Sequence, residues 1–224
     1  MNKLSKRLEM VARLVPNGTK CADIGADHGY LIIDLFKSRQ IQSGYACENK
    51  VGPYNNLKKN IEINNLQEYI YADLSDGIRT LPSDIDTVII AGMGGDTVCK
   101  IIEDSIDKLD QIDNFIISSH TKMDEVRKFL MNHNYHIIEE DACFDMNQYY
   151  EATLFRKGKK VYSYIELKYG PYLLEDKNQN TLKFLEEKYF FNQKLMENDK
   201  IPQTRIDDLK TENLELQSII KLFN

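Results

Sequence analysis

Lys20-Cys-Ala-Asp-Ile-Gly-Ala-Asp-His-Gly-Tyr30, followed at once by Leu31-Ile-Ile-Asp-Leu-Phe36, decides how the rest of the chain is read. A short apolar segment runs into a glycine-bearing acidic turn and then into a helical pattern. A strand, a tight turn and a helix N-terminus together form a standard place to hold a nucleotide-like ligand. Asp23 and Asp27 change that expectation, because two carboxylates beside the turn repel a pyrophosphate. They favour a ligand carrying a cationic group, and S-adenosylmethionine, with its sulfonium and amino groups, fits that description.

Downstream, Gly44-Tyr-Ala-Cys-Glu48 is an expected strand that closes on a carboxylate. Gly52-Pro53 opens a helix through Asn64, with the proline in the first turn, where it is tolerated. A weaker strand at 68–72 precedes Asp73-Leu-Ser-Asp-Gly77. Asp86-Thr-Val-Ile-Ile-Ala91 has the pattern of a central parallel strand buried on both faces. It breaks into Gly92-Met-Gly-Gly95, with a helix expected over about 96–108. Asn114-Phe-Ile-Ile-Ser-Ser119 repeats the strand pattern, and 121–133 reads as a helix. Tyr135 to Phe144 and Gln148 to Phe155 read as a hairpin joined at Asp145-Met-Asn147. Upstream, apolar residues at 4, 8, 11 and 14–15 share one helical face, with basic residues on the other. Alternating strands and helices imply a parallel sheet covered on both faces. Five βα units closed by a hairpin match the Rossmann-like sheet plan of class I methyltransferases, an α/β fold.

From 161 the composition changes. Tyr162-Ser-Tyr-Ile-Glu-Leu-Lys-Tyr-Gly-Pro-Tyr172 is aromatic and is expected to pack back on the preceding domain. Leu182, Leu185, Tyr189 and Leu195-Met196 fall at helical spacing. So do Ile206, Leu209, Leu216 and Ile220, with Asn213 as a polar residue on that stripe. Ile201-Pro202 separates the two sets, so the tail reads as an antiparallel helical hairpin of coiled-coil type. The expected division is 1–160 for a cofactor-binding domain and 161–224 for the helical hairpin.

The 224 residues suffice for such a domain and its appendage, and 42% hydrophobic with 29% charged residues is ordinary for a globular protein. No apolar run reaches the ~20 residues that cross a bilayer, so no membrane partner is expected. The polar start, Met-Asn-Lys-Leu-Ser-Lys-Arg, does not read as a signal peptide. Cysteines at 21, 47, 99 and 143 form no C-x-x-C pair, which favours a reducing cytoplasm. The four histidines have no ligand-like spacing with cysteine, and no metal is expected. A net charge of −6 counts against a generic nucleic-acid binder but leaves room for local basic patches. Lys3, Lys6, Arg7 and Arg13 form one cluster, and Arg156-Lys-Gly-Lys-Lys160 a second; either also reads as a solvated face. A monomer is the expected state.

Candidate contacts for S-adenosylmethionine follow the strand ends. Gly25 and Gly29 let the backbone pass close to the ligand's amino-acid end. Asp23 and Asp27 balance its positive charges, and Glu48 is placed for the ribose hydroxyls. Asp76 is a candidate acceptor for the adenine amino group. Gly92, Met93 and Gly94 leave room beside the methyl donor, with Met93 able to pack on a ring. Each signal is weak alone. Their order carries weight, because each falls at the C-terminal end of a successive strand, the edge where open α/β sheets place ligands.

At this point the chain resembles the bacterial tRNA (adenine-22-N1)-methyltransferases, the TrmK family. The matching residues are Leu4-Ser-Lys-Arg-Leu8, Ala22-Asp-Ile-Gly-Ala-Asp-His28 with Tyr30-Leu31, Gly52-Pro53, Asp76-Gly77 and Ile90-Ala-Gly-Met-Gly-Gly95. Tyr150-Glu151 and Gly170-Pro171 with the helical tail also match. The resemblance implies methyl transfer to N1 of adenine 22 in tRNA. It makes Asp27 a candidate to stabilise charge on the base or only to bind the cofactor. Tyr30 and His28 become candidate positioning or stacking partners, although His28 also reads as a simple helix start. It makes Lys3, Lys6 and Arg7 candidate RNA contacts. The chain departs from the family's frequent Gln-Pro-Asn-like segment after the fifth strand, with Ser118-Ser-His120 there instead. His120 is then a candidate contact for the adenine, against a plain strand-end role. Alternatives are a methyltransferase acting on another RNA, a protein or a small molecule, and a cofactor-binding protein without turnover.

Overall fold

The computed structural model describes residues 3–223. The chain begins with α1 (Lys6–Leu14), whose N-cap Ser5 accepts the Leu8 backbone N–H at 3.3 Å. Then follow β1 (Thr19–Ile24), α2 (Tyr30–Lys37), β2 (Ile41–Glu48), α3 (Val51–Ile63), β3 (Ile70–Leu74) and β4 (Thr87–Met93). After these come α4 (Gly95–Glu103), β5 (Asn114–Ser119), α5 (Met123–Asn132), β6 (Tyr135–Asp145) and β7 (Gln148–Lys157). The tail contributes α6 (Tyr164–Tyr169), α7 (Pro171–Glu175), α8 (Gln179–Met196) and α9 (Gln203–Ile220).

The strands form one seven-stranded sheet in the order β3-β2-β1-β4-β5-β7-β6. β1 to β5 are parallel, and β7 joins the edge antiparallel to β5. The hairpin therefore folds back so that its second strand, not its first, meets the sheet. It turns through Met146 and Asn147, both at positive φ (48° and 63°), the pairing that suits the twist of a two-residue hairpin. β4 is a central strand with side chains on both faces: Val88 and Ile90 enter one core and Ile89 the other.

Three expectations are corrected. The connection from β3 to β4 contains no helix; it crosses in turns punctuated by Gly77 and Pro82, anchored by buried Ile78, Leu81 and Ile85. The plan is thus one βα unit short of five. β4 runs on through Gly92 and Met93, with a register shift between Ala91 and Met93 that makes Gly92 (φ +88°) a bulge. The helix expected to reach residue 108 ends at Glu103, and a short 3-10 segment covers Ile106–Gln111.

The tail forms its own small core of Tyr169, Leu185, Leu216, Ile219 and Phe223. Asn192 bonds Asn213 at 3.1 Å, while Gln217 bonds Tyr189 at 2.6 Å. Positions rising along α8 thus meet positions falling along α9, and the pair is antiparallel. The buried Asn192–Asn213 contact explains the polar interruption of the apolar stripe, since a paired amide fixes register between two helices. The aromatic segment packs back as expected: the Tyr162 hydroxyl takes the Ile137 N–H at 2.9 Å and donates to the Ile137 carbonyl at 3.2 Å.

Candidate cofactor site

The turn after β1 is clamped to the end of β2. The Gly25 and Ala26 N–H groups both donate to the Cys47 carbonyl, at 2.8 and 3.0 Å. The next N–H, of Asp27, donates to Glu48 Oε2 at 3.1 Å, while Glu48 Oε1 accepts the Asn49 N–H at 3.1 Å. Each Glu48 oxygen keeps lone-pair capacity for a further donor. Gly25 (φ +75°), Asp27 (φ +49°) and Gly29 (φ +70°) are all left-handed, which is how the chain turns so tightly. A Cβ on Gly25 would collide with Met93 Cε, and one on Gly29 with Leu57 Cδ1. Those glycines are needed for packing as well as for conformation.

Asp23, Gly25, Asp27, His28 and Tyr30 line one cleft of about 90 Å³, together with Leu8, Ala91 and Arg7. Gly29, by contrast, is buried beneath the turn against Leu57. Asp23 is only 5% exposed and has no cation within ion-pair distance among the described residues. Burial, reinforced by the neighbouring Glu48 charge, pushes its carboxyl up to about 7. Two buried carboxylates without an ion-pair partner among the described residues fit a ligand bearing a positive group, so the donor set suits S-adenosylmethionine. The Asp27 side chain is exposed at the mouth, 3.7 Å from His28 Nε2. His28 and Tyr30 stack with ring centroids 5.2 Å apart, and Asn60 Nδ2 holds the His28 carbonyl at 2.9 Å.

The remaining candidates sit around this centre at different removes. Asp76 is exposed and reached from Glu48 through Asn49, whose Nδ2 donates to it at 3.4 Å. Asn49 was missed in the sequence; its only signal is its place between Glu48 and the turn that carries Asp76. Met93 packs against the turn at Gly25, and its carbonyl accepts from His120 N and Ser119 Oγ, each at 3.0 Å. Gly94 caps α4 and lies against Thr121. His120 does not line the acidic cleft. It borders a wider space of about 610 Å³ between the end of β5, the β6–β7 hairpin and α8.

The basic cluster separates. Lys3 and Lys6 are exposed, with Lys3 3.6 Å from Glu9. Arg7 instead turns inward, its Nη1 lying 2.9 Å from where a Gly92 Cβ would be, and its Cζ 5.4 Å from the Tyr150 ring centroid. Arg13 pairs with Asp141 at 2.5 Å. The second cluster lies at the opposite end of the parallel strands, because Arg156 is in register with Asn114 at the start of β5. Among the described residues no group of three or more His, Cys, Asp or Glu could hold a metal, and no helix is long and apolar enough to cross a membrane.

The chain is similar to known proteins along most of its length. A family model described as a methyltransferase domain matches residues 4–153. The tRNA (adenine(22)-N(1))-methyltransferase of Bacillus subtilis is 32% identical over 188 residues, covering 81% of this chain and 79% of that one. A Streptococcus pneumoniae protein solved in complex with S-adenosyl-L-methionine superposes with a TM-score of 0.90 at 27% identity, over 97% of this chain and 100% of that one. M. capricolum TrmK, solved with the cofactor product S-adenosyl-homocysteine, gives a TM-score of 0.87 at 28% identity over 99% of both chains.

Proposed function

The chain belongs to the tRNA (adenine(22)-N(1))-methyltransferase family, and from that premise we propose that it methylates N1 of adenine 22 in tRNA, using S-adenosylmethionine. The observation that carries the cofactor reading is Asp23 and Glu48, two buried carboxylates beside a glycine turn and without an ion-pair partner among the described residues. S-adenosylmethionine supplies a methyl group made electrophilic by its sulfonium. Asp23 faces the cationic end, Glu48 accepts from the ribose, and Asp76 accepts from the adenine edge. Gly25, Gly29, Gly92 and Gly94 keep side chains out of the way, and Met93 packs alongside.

N1 of neutral adenine has its own lone pair, so no base is needed to create the nucleophile. The protein's task is to align N1 and to stabilise the positive charge that develops on the base. Asp27, exposed at the mouth of the cleft, is the carboxylate for that charge, with His28 and Tyr30 as a stacked pair beside it. N1 lies on the pairing edge, so the base leaves its stack to react. Lys6 on α1 and Lys3 just before it contact phosphates, and the 161–224 tail, docked on the main core through Tyr162 and Leu167, braces the RNA. The protein works as a monomer in the cytoplasm.

Purified protein, labelled S-adenosylmethionine and unmodified tRNA transcripts test this reading. Label is expected in a transcript carrying A22 and is lost when A22 is replaced. Cofactor binding without transfer to any RNA removes the tRNA assignment and leaves the cofactor site.

A further inference from the structure

Tyr150 has no place in the cofactor site, yet it is the side chain on which the inward-turned Arg7 rests. It stands on β7 opposite Cys143 of β6 and is half-buried against the apolar cluster that Leu4, Leu8 and Ala91 also flank. Its hydroxyl donates to Gln148 Oε1 at 3.1 Å, and His120 meets the ring edge-on, with centroids 5.8 Å apart. The ring is thus held from two directions. The Arg7 guanidinium lies over the ring, and Arg7 also lines the acidic cleft, beside the Gly92 bulge. Among the described residues that guanidinium has no carboxylate within ion-pair distance; only the Arg7 backbone N–H is tied, to Asp145 Oδ2 at 3.3 Å. A planar cation held by one aromatic face is easily displaced.

We propose that the Tyr150 face covered by Arg7 is the stacking platform for the target adenine, with Arg7 as the placeholder that the base displaces. The inference rests on the adenine-N1 reading and deepens it. As the methyl group bonds to N1, the base becomes a planar, delocalised cation. The guanidinium is this chain's own group most like that product in shape and charge, and it occupies a position shared by an aromatic face and an acidic cleft. Stacking on an aromatic ring holds a single extruded base whatever its sequence context. The ring's negative face also gains attraction as charge develops, an interaction stronger in the transition state than in the ground state. His120, set against the ring edge, acts as a positioning residue through Tyr150 and need not touch the base.

The test is single-turnover methyl transfer to an A22 transcript at saturating cofactor and RNA, with cofactor affinity measured by calorimetry. Tyr150→Phe keeps the ring and is expected to retain the rate within about threefold. Tyr150→Leu is expected to lose about 30-fold or more in rate with cofactor affinity unchanged. A Tyr150→Leu rate within threefold of wild type overturns the platform. So does a Phe variant as slow as the Leu variant, or a parallel loss of cofactor affinity. Should the Leu variant not fold, replacing Tyr150 by phenylalanines of increasing ring fluorination keeps the shape and weakens the negative face. The rate is expected to fall with each fluorine, and a flat series overturns the role in charge stabilisation. Transfer by wild type is the control: its absence sinks the tRNA reading itself, whereas equal transfer by wild type and Tyr150→Leu sinks only the platform.

Discussion

Among the described residues, Asp23 with Glu48 and Glu140 with Glu151 form two carboxylate pairs in or at the edge of the interior, and the second pair holds a cation between its members. At the far edge of the sheet, Arg127 of α5 is wholly buried between Glu140 of β6 and Glu151 of β7. Its Nε donates to Glu140 at 2.9 Å, its Nη2 to Glu151 at 2.6 Å, and its Nη1 to the Leu167 carbonyl at 3.2 Å. Glu140 also accepts from Thr153 Oγ1 at 2.9 Å and the Tyr172 N–H at 3.0 Å. That network joins α5, the hairpin, α6 and α7, so its charge is used inside the fold. Asp23 and Glu48 stand at the ends of neighbouring strands β1 and β2; Glu48 accepts two backbone N–H groups, and neither carboxylate has an ion-pair partner among the described residues. The contrast separates structural charge from charge reserved for a ligand.

The largest effect is expected from breaking the satisfied pair. Arg127→Leu leaves two buried carboxylates facing each other, and removing one partner of a buried ion pair costs about 3–5 kcal/mol. For a chain of this size that lowers Tm by roughly 10 °C or more. Glu151 is already pushed above the usual carboxylate range by burial, and without Arg127 it rises further. A folded-state pKa above the unfolded value gives stability that is present at low pH and lost as pH rises. The variant should therefore melt higher at pH 5 than at pH 8. A loss under 1 kcal/mol in thermal or urea unfolding would mean that the cluster is not the clamp described.

Asp23→Asn should do the opposite to the free protein. In the wild type, Asp23 has a folded pKa of about 7 against an ordinary carboxylate value near 4, so its ionisation opposes folding. The sign follows: this contribution to stability is intact below about pH 4 and lost as pH rises through 7. Replacement by Asn removes that loss and should stabilise the ligand-free protein by about 1–4 kcal/mol at pH 8. The same change should weaken S-adenosylmethionine binding, because the cation loses its partner. Thermal unfolding from pH 5 to 8, with calorimetric cofactor titration, reads both effects. A variant that is destabilised at pH 8, or that binds cofactor as wild type does, breaks the contrast between the two pairs.

The reserved pair was legible in the sequence and the satisfied one was not. Asp23, Gly25 and Asp27 are contiguous with the strand and turn that position them, and Glu48 follows from where the next strand ends. Arg127, in a run of charged helix residues, reads as solvent-facing; its partners are 13 and 24 positions away, and only the hairpin's insertion brings them to it. The same insertion brings Tyr150 to Arg7. A local pattern shows two adjacent strands but not which of them pairs with the sheet. Likewise the β3–β4 crossover read as another βα unit from alternation alone, whereas Gly77 and Pro82 keep it in turns.

The distinction between used and reserved charge extends to the cations, with a smaller expected effect. In the 156–160 cluster, Arg156 donates to Asn114 at 3.1 Å, Lys157 to the Asp110 carbonyl at 2.5 Å, and Lys160 lies over the rings of Tyr162 and Tyr172. Those groups serve the edge of the sheet remote from the acidic turn. Lys6 is exposed with no ion-pair partner among the described residues, and Lys3 has only the solvent-exposed Glu9, a pairing of little energy. If α1 meets the RNA backbone, Lys3→Gln with Lys6→Gln should reduce the slope of log affinity against log salt by about 2, since each neutralised phosphate contributes nearly one. Lys159→Gln with Lys160→Gln should leave the slope unchanged. Equal slopes for the two double variants would show that the lysines at the start of the chain are a solvated face, and that in this protein only the acids without an ion-pair partner are reserved for a ligand.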